Sequence, residues 1–275
     1  MSGQAPPPAR GRALAQARTD ALGEELYRAL RSQAVVSPLT EREPAITIDD
    51  AYQVSLRMMQ LRQQQDGERI VGKKIGVTSA AVQQMLGVFQ PDFGFLSDAM
   101  AYPDGAEISI TKQLIQPRAE AEIAFRLCRD LAGPGITEEE VLAATEYISP
   151  CFEIVDSRIR DWEIKIQDTI ADNASCGVYV LGSAQVSPRG ISLPKLKVQV
   201  YKNGNFLSEG LGSAVQGNPL TAVAWLANTL GGYGISLSSG EIILSGSLVP
   251  LEPVSPGDVM HIELSQVGSA ELRFC

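Results

Sequence analysis

Three groups of residues in this chain could do chemistry: carboxylates two residues apart, a lone carboxylate in an apolar run, and twin lysines between glycines. The first is Arg118-Ala-Glu-Ala-Glu-Ile-Ala-Phe-Arg-Leu127. Side chains on a strand alternate between faces, so Ala121, Ile123, Phe125 and Leu127 make one apolar face and Glu120 and Glu122 share the other. Like charges on one face repel unless water screens them or a cation lies between them. Arg126, on the same side, fits a solvated face. The second group is Glu153, inside Tyr147-Ile-Ser-Pro-Cys-Phe-Glu-Ile-Val155. An ionised, unpaired carboxylate there would cost several kcal/mol. It calls for a cation, a raised pKa, or a salt bridge to Arg158 or Arg160. Three carboxylates meeting at one point would suit a hard cation, Mg²⁺ or Mn²⁺.

The third group is Val71-Gly-Lys-Lys-Ile-Gly-Val-Thr78. Strand alternation sends Lys73 and Lys74 to opposite sides, one to solvent and one inward. An inward lysine beside a metal site can bind a carboxylate or transfer a proton; two surface lysines at a turn fit the residues equally well. Polar and apolar residues interleave in Asp156–Trp162, in Asp168–Gly177, in Gln90-Pro-Asp-Phe-Gly94 and in Leu244-Ser-Gly-Ser247, a texture that suits the walls of a cleft. The single histidine, His261, excludes a multi-histidine metal site and reads as a strand residue with a satisfied ring. Cys128, Cys151, Cys176 and Cys275 form no CxxC pair. The first three sit in apolar segments and read as buried free thiols of a reducing, cytoplasmic compartment.

Elements must hold these groups in place. Leu22, Leu26 and Leu30 give Thr19–Arg31 a helical stripe. Thr47-Ile-Asp-Asp50 is a capping box before a second helix carrying Ala51, Val54, Met58 and Leu61. Ser79–Leu86 reads as a third, with Val82, Met85 and Leu86 inward. From Tyr102 the texture turns to short alternating runs: Ala119–Leu127, Tyr147–Val155, Val178–Leu181, Leu196–Tyr201, Glu241–Leu244 and Val259–Leu264. Two helices interrupt them, one capped at Thr137 and one opened by Asn218-Pro219. The expectation is an α+β protein. Residues 1–20 are a disordered tail, 21–101 a small helical N-terminal region supplying a lysine and an aspartate, and 102–275 a β-rich metal-binding catalytic domain. The chain has 275 residues, 44% of them hydrophobic and 20% charged, with a net charge of −9. That balance gives no electrostatic reason to bind nucleic acid or anionic lipid, no run is long enough to span a bilayer, and an anionic substrate would need a local cation.

Four motifs carry a resemblance: Gly72-Lys-Lys-Ile-Gly-Val-Thr-Ser79, Met85-Leu-Gly-Val-Phe-Gln-Pro-Asp-Phe-Gly94, Gln116-Pro-Arg-Ala-Glu-Ala-Glu-Ile-Ala124 and Asp168-Thr-Ile-Ala-Asp-Asn-Ala-Ser-Cys-Gly177. From about Leu22 to Cys275 the chain resembles the 2-keto-4-pentenoate (2-hydroxypenta-2,4-dienoate) hydratases of aromatic meta-cleavage, within the fumarylacetoacetate hydrolase superfamily. The resemblance implies a rolled mixed β-sheet core holding one Mg²⁺ or Mn²⁺ on Glu120, Glu122 and Glu153. It places the active-site lysine on Lys74 and an acidic catalytic residue on Asp92, and it puts Arg158, Ser175 and Ser245 along the substrate pocket. It implies addition of water to a 2-hydroxy-dienoate, giving a 4-hydroxy-2-oxo acid, with Lys74 in proton transfer or enolate stabilisation and Asp92 acting on water. Homo-oligomers, and a complex with 4-oxalocrotonate decarboxylase, are the partners it implies. That decarboxylase activity on the same scaffold, and a non-catalytic subunit supporting such a partner, are the alternatives. The superfamily's C–C hydrolases need a lid histidine, and no histidine precedes His261.

Overall fold

The computed structural model describes residue 11 and residues 13–275. Two long helices, Gln16–Ser32 and Ile48–Asp66, pack together through Leu22, Leu26, Val54 and Met58, all fully buried. Thr47 and Asp50 make the expected capping box. The first helix has no side-chain cap at Ala15. Its approach is pinned instead from a distance: the backbone N–H of Gly11 donates to Asp49 and that of Ala13 to Asp50. The tail expected over residues 1–20 overlaps this first helix. Gln16–Asp20 are helical, and residues 1–10 and 12 lie outside the described residues.

Strands follow in chain order as β1 (Ile70–Gly76), β2 (Asp92–Ser97), β3 (Ala101–Pro103), β4 (Ala106–Ile108), β5 (Pro117–Leu127), β6 (Thr145–Asp156), β7 (Cys176–Leu181), β8 (Lys197–Lys202), β9 (Asn205–Leu211), β10 (Ile242–Leu244), β11 (Glu252–Pro253), β12 (Val259–Leu264) and β13 (Gly268–Phe274). The larger sheet runs β2-β1-β10-β5-β6-β7-β3, with β11 beside β5; the smaller runs β4-β13-β12-β8-β9. Both are mixed: β1 lies parallel to β10, β3 to β7 and β4 to β13, and the remaining neighbours are antiparallel. This is the expected α+β architecture with a curled mixed sheet. One boundary differs. β1 and β2 fall within the stretch 21–101 read as helical, yet they are integral to the larger sheet, because β1 finds its partner β10 far along the chain.

β5 and β6 are buried on both faces, so Glu120, Glu122 and Glu153 lie in the interior and not on a solvated face. Two smaller expectations change. In the helix Ala80–Leu86, Val82 is buried but Met85 is exposed. Cys128, just beyond the end of β5, is exposed, whereas Cys151 and Cys176 are buried free thiols. No helix among the described residues is long and apolar enough to cross a membrane.

Candidate active site

Strand pairing explains how distant residues reach one face. Glu120 of β5 lies directly opposite Glu153 of β6, and Glu122 opposite Cys151. Directly opposed residues point to the same side of a sheet, as do residues two apart. Glu120, Glu122 and Glu153 therefore converge, and each offers an oxygen within 4.8 Å of the others. The same parity runs through the neighbouring strands. Lys74 pairs with Leu244 of β10, and Leu244 with Ala124 of β5. Asp92 of β2 pairs with Gly76, two residues beyond Lys74. Gly76 is required there: a Cβ would lie 2.2 Å from Asp92 Oδ1 and 3.4 Å from Lys74 Nζ.

The electrostatics of this face are unbalanced. Burial, and then the charge of Glu153, push the Glu120 carboxyl up to about 7. Burial, with Glu153 and Glu120 close by, lifts Glu122 well above the usual carboxylate range. Asp92 is raised by burial, and Lys74 partly offsets this. At Lys74, burial works against the charge, but Glu153 and then Asp92 outweigh it and hold the ammonium above the usual lysine range. Lys74 Nζ stands 3.1 Å from Glu153 Oε1, close enough for an ion pair but without hydrogen-bond geometry. Glu122 Oε2 accepts the Gly246 N–H at 2.7 Å. Both oxygens of Glu153, Glu122 Oε1 and Asp92 Oδ1 are buried with no hydrogen-bond partner. Leaving several carboxylate oxygens so exposed to one another is costly in a low-dielectric interior. An all-oxygen, net-negative cluster of this kind fits a hard divalent cation, which these residues would hold.

The cluster opens onto a narrow recess. Lys74, Asp92, Glu120, Thr169 and Ser175 give it a polar end, and Val82, Leu86, Val155, Trp162 and Leu251 an apolar one. Thr169 Oγ1 donates to Asp92 Oδ2 at 2.9 Å. Ser175 lines the recess, and its hydroxyl is unpartnered. Ser245 is enclosed next to Gly246, also unpartnered, and does not line the recess.

Arg158 is a correction. It is 0% exposed and absent from the wall. Its Nε bonds Asp172 Oδ1 at 2.5 Å, and its other nitrogens reach the carbonyls of Asp156, Cys176 and Asp172. It braces the turn in which Asn173, Ala174 and Ser175 all adopt left-handed backbone, a conformation that non-glycine residues hold only under constraint. Neither Arg158 nor Arg160 pairs with Glu153; Arg160 meets Glu163. Lys73 is a second correction. It is not solvated but buried, with Nζ 2.5 Å from Glu241 Oε1. His261 sits between Glu263 and Glu271 at 3.7 and 3.6 Å, away from this face, and its Nδ1 has no hydrogen-bond partner, so the ring is not satisfied as expected. Thr169 and the apolar wall were not singled out in the sequence. Thr169 lay within the interleaved Asp168–Gly177 stretch and Trp162 within Asp156–Trp162, and Val82 and Leu86 read as inward on the third helix, but the wall is assembled from four separate segments that no local signal joins.

Comparison with known proteins agrees with this geometry. A family model described as fumarylacetoacetate (FAA) hydrolase C-terminal matches residues 70–274. A 2-hydroxyhexa-2,4-dienoate hydratase of Comamonas testosteroni is 57% identical over 253 residues, covering 92% of this chain and 96% of that protein. A 2-hydroxypent-2,4-dienoate hydratase of Pseudomonas putida is 60% identical over 215 residues, 78% of this chain and 96% of that one. Among solved structures, the 4-oxalocrotonate decarboxylase of Pseudomonas putida G7, complexed with magnesium and adipate, superimposes with a TM-score of 0.91 at 35% identity. That match covers 96% of this chain and 100% of the decarboxylase.

Proposed function

The chain belongs to the fumarylacetoacetate hydrolase family, and from that premise we propose that it is a metal-dependent hydro-lyase, adding water to 2-hydroxypenta-2,4-dienoate or a close homologue in aromatic meta-cleavage. The observation that carries this reading is the set of unpartnered carboxylate oxygens on Glu122 and Glu153 beside buried Lys74 and Asp92. The identities of 57% and 60% to two dienoate hydratases favour hydration over the decarboxylation named for the 35% identical structure.

Glu120, Glu122 and Glu153 would hold Mg²⁺ or Mn²⁺. Bound there, such a cation would supply Lewis-acid polarisation and neutralise charge on an anionic substrate. The remaining work falls to the chain. Hydration to the 4-hydroxy-2-oxo acid places protons on C5 and C3 and a hydroxyl on C4, while the C2 enol and the attacking water each lose a proton, so the site must both give and take protons. Lys74 has the proton to give. It is held on Nζ by Glu153 and then Asp92, against the opposing effect of burial. Asp92 suits the other role. Thr169 fixes one of its oxygens, Oδ1 is left without a hydrogen bond, and burial raises its basicity. Ser175, with its free hydroxyl on the wall, is placed to orient substrate. Exposed Phe206, Leu207 and Leu211 along the edge strand β9 support self-association into a homo-oligomer. A cytoplasmic setting and a complex with a 4-oxalocrotonate decarboxylase subunit belong to the same reading.

The test is direct. Protein stripped with EDTA, then reloaded with Mg²⁺ or Mn²⁺, is offered fresh 2-hydroxypenta-2,4-dienoate and 4-oxalocrotonate, and kcat/KM is compared. We expect metal-dependent formation of the 4-hydroxy-2-oxo acid and preference for the monoacid. Preference for the dioate with release of CO₂ would reverse the assignment, and full activity without metal would sink it.

A further inference from the structure

The recess has a second end that the hydration chemistry does not use. Val82, Leu86, Val155 and Leu251 meet Trp162 there, in an apolar cluster separate from the main core. Trp162 is held with unusual care. Its Nε1 donates to the Gln116 carbonyl at 3.1 Å, while the Gln116 side chain accepts from the neighbouring Asp161 N–H at 2.9 Å. Gln116 Nε2 also reaches the carbonyls of Ser157 and Ile159, tying down the start of the same turn. The Arg118 guanidinium lies over the indole, 4.6 Å from its centroid. Asp161 and Trp162 both take left-handed backbone, with φ of 54° and 57°, which neither residue favours. A half-buried indole tied at Nε1 to Gln116, covered by Arg118 and carried on a turn that Gln116 braces is a fixed wall.

We propose that Trp162 determines substrate specificity, closing the apolar end of the recess against the carbon tail beyond C5 and setting the tail length the enzyme accepts. The inference rests on the reading that the substrate is a 2-hydroxy-dienoate. Such a molecule is polar at C1 and C2 and hydrocarbon at its far end, matching the two ends of the recess in order. Among the residues lining the recess the one cation, Lys74, is at the polar end. A tail ending in a second carboxylate would meet hydrocarbon and indole on this lining, with the Arg118 guanidinium stacked on the indole 4.6 Å from its centroid. Hydrophobic pockets discriminate by about ten- to two-hundredfold per methylene, so a single wall residue can decide between homologues.

The experiment compares wild type, Trp162→Phe and Trp162→Ala, all loaded with Mg²⁺. Affinities for the 2-oxo acids of five, six and eight carbons are measured by calorimetry; lacking the diene, these acids cannot be hydrated. Ratios of kcat/KM for the five- and six-carbon dienoates are measured beside them. A ratio within one protein cancels the fraction of folded enzyme. We expect Trp162→Ala to shift both ratios towards the longer chain by about tenfold or more, and Trp162→Phe to shift them less. A clamp with no contact to substrate would lower every value alike, so chain-length ratios unchanged within about twofold overturn the proposal. If the affinity ratios shift while wild type hydrates neither dienoate, the wall is upheld and the hydratase reading fails.

Discussion

Strand β6 ends between two buried charge clusters that obey opposite rules. On one side, Arg158 and Asp172 are both 0% exposed and meet almost all of each other's needs: Arg158 Nε and backbone N–H donate to Asp172, and three carbonyls take the rest of the guanidinium. On the other, Glu120, Glu122 and Glu153 face one another with several oxygens unpartnered and one buried lysine to oppose them. Both clusters are equally deep, so burial alone does not separate structure from function. Satisfaction does. A closed network rigidifies the fold, whereas an open one retains an unmet demand that a ligand fills. The closed cluster serves the open one, because Asp172 begins the left-handed turn that puts Ser175 on the recess.

The sharpest test of this contrast breaks each cluster once. Arg158→Met leaves Asp172 buried without its partner, so we expect a loss of about 3–5 kcal/mol in unfolding free energy. Burial already raises Asp172 to about 6, against the opposing pull of Arg158, and its protonation sets the lower end of that range. Glu153→Gln removes a charge that repels two others, and it breaks the ion pair with Lys74, whose charge Asp92 and Glu120 still oppose. Metal-free stability should stay within about 1 kcal/mol of wild type, while Mg²⁺ affinity drops at least about a hundredfold. Urea titration and calorimetry read both quantities. If Glu153→Gln is the variant that unfolds, the glutamates are a structural network and the division is wrong.

A second test uses adjacent residues. Lys73 and Lys74 are both buried on β1 but face opposite sides, towards Glu241 and Glu153. Lys74→Met should fold, bind metal and lose at least about a hundredfold in kcat, the lower range for an acid–base group. Lys73→Met should retain kcat per folded molecule and lose stability, by about 1–3 kcal/mol, because Glu241 is left partly buried and unpaired. A loss of kcat in Lys73→Met with Lys74→Met near normal would invert the register of β1.

Much of this was legible in the sequence. The two-residue period of Ala119–Leu127 fixed the shared face of Glu120 and Glu122, and the capping residues Thr47, Thr137 and Asn218 all start helices. A glutamate inside Tyr147–Val155 announced a buried charge. The partners of charged residues were hidden, because they are set by folding at long range. Glu241 lies 168 residues from Lys73, and Lys74, not an arginine a few residues away, opposes Glu153. Local proximity made Arg158 look available, while its nitrogens were committed to Asp172 and to backbone carbonyls. The start of the first helix was missed for the same reason, since Asp49 and Asp50 secure the chain before it from more than thirty residues away.

The smallest expected effect, a graded one, comes from pH. In the metal-free protein Glu120 is pushed up to about 7 by burial and by Glu153, and Glu122 lies well above its ordinary value. Both carboxyls therefore hold protons more tightly folded than unfolded. Between about pH 4.5 and 7 the native state binds more protons than the unfolded chain, so metal-free stability should fall as pH rises through that window. Metal affinity should move the other way. A cation must displace those protons, and each one displaced costs about tenfold in apparent affinity per pH unit below 7. Titrating Mg²⁺ at pH 6 and pH 7, beside urea unfolding of the metal-free protein at the same values, should give opposed slopes. The closed cluster offers no such opposition: raising pH through about 6 ionises Asp172, which lowers stability in the same direction, but Arg158 already fills its coordination and no metal affinity is linked to it. Glu153→Gln removes the charge that lifts Glu120, so its metal-free stability should depend less steeply on pH. An unchanged slope in that variant would mean that the open cluster is not the source of the pH dependence.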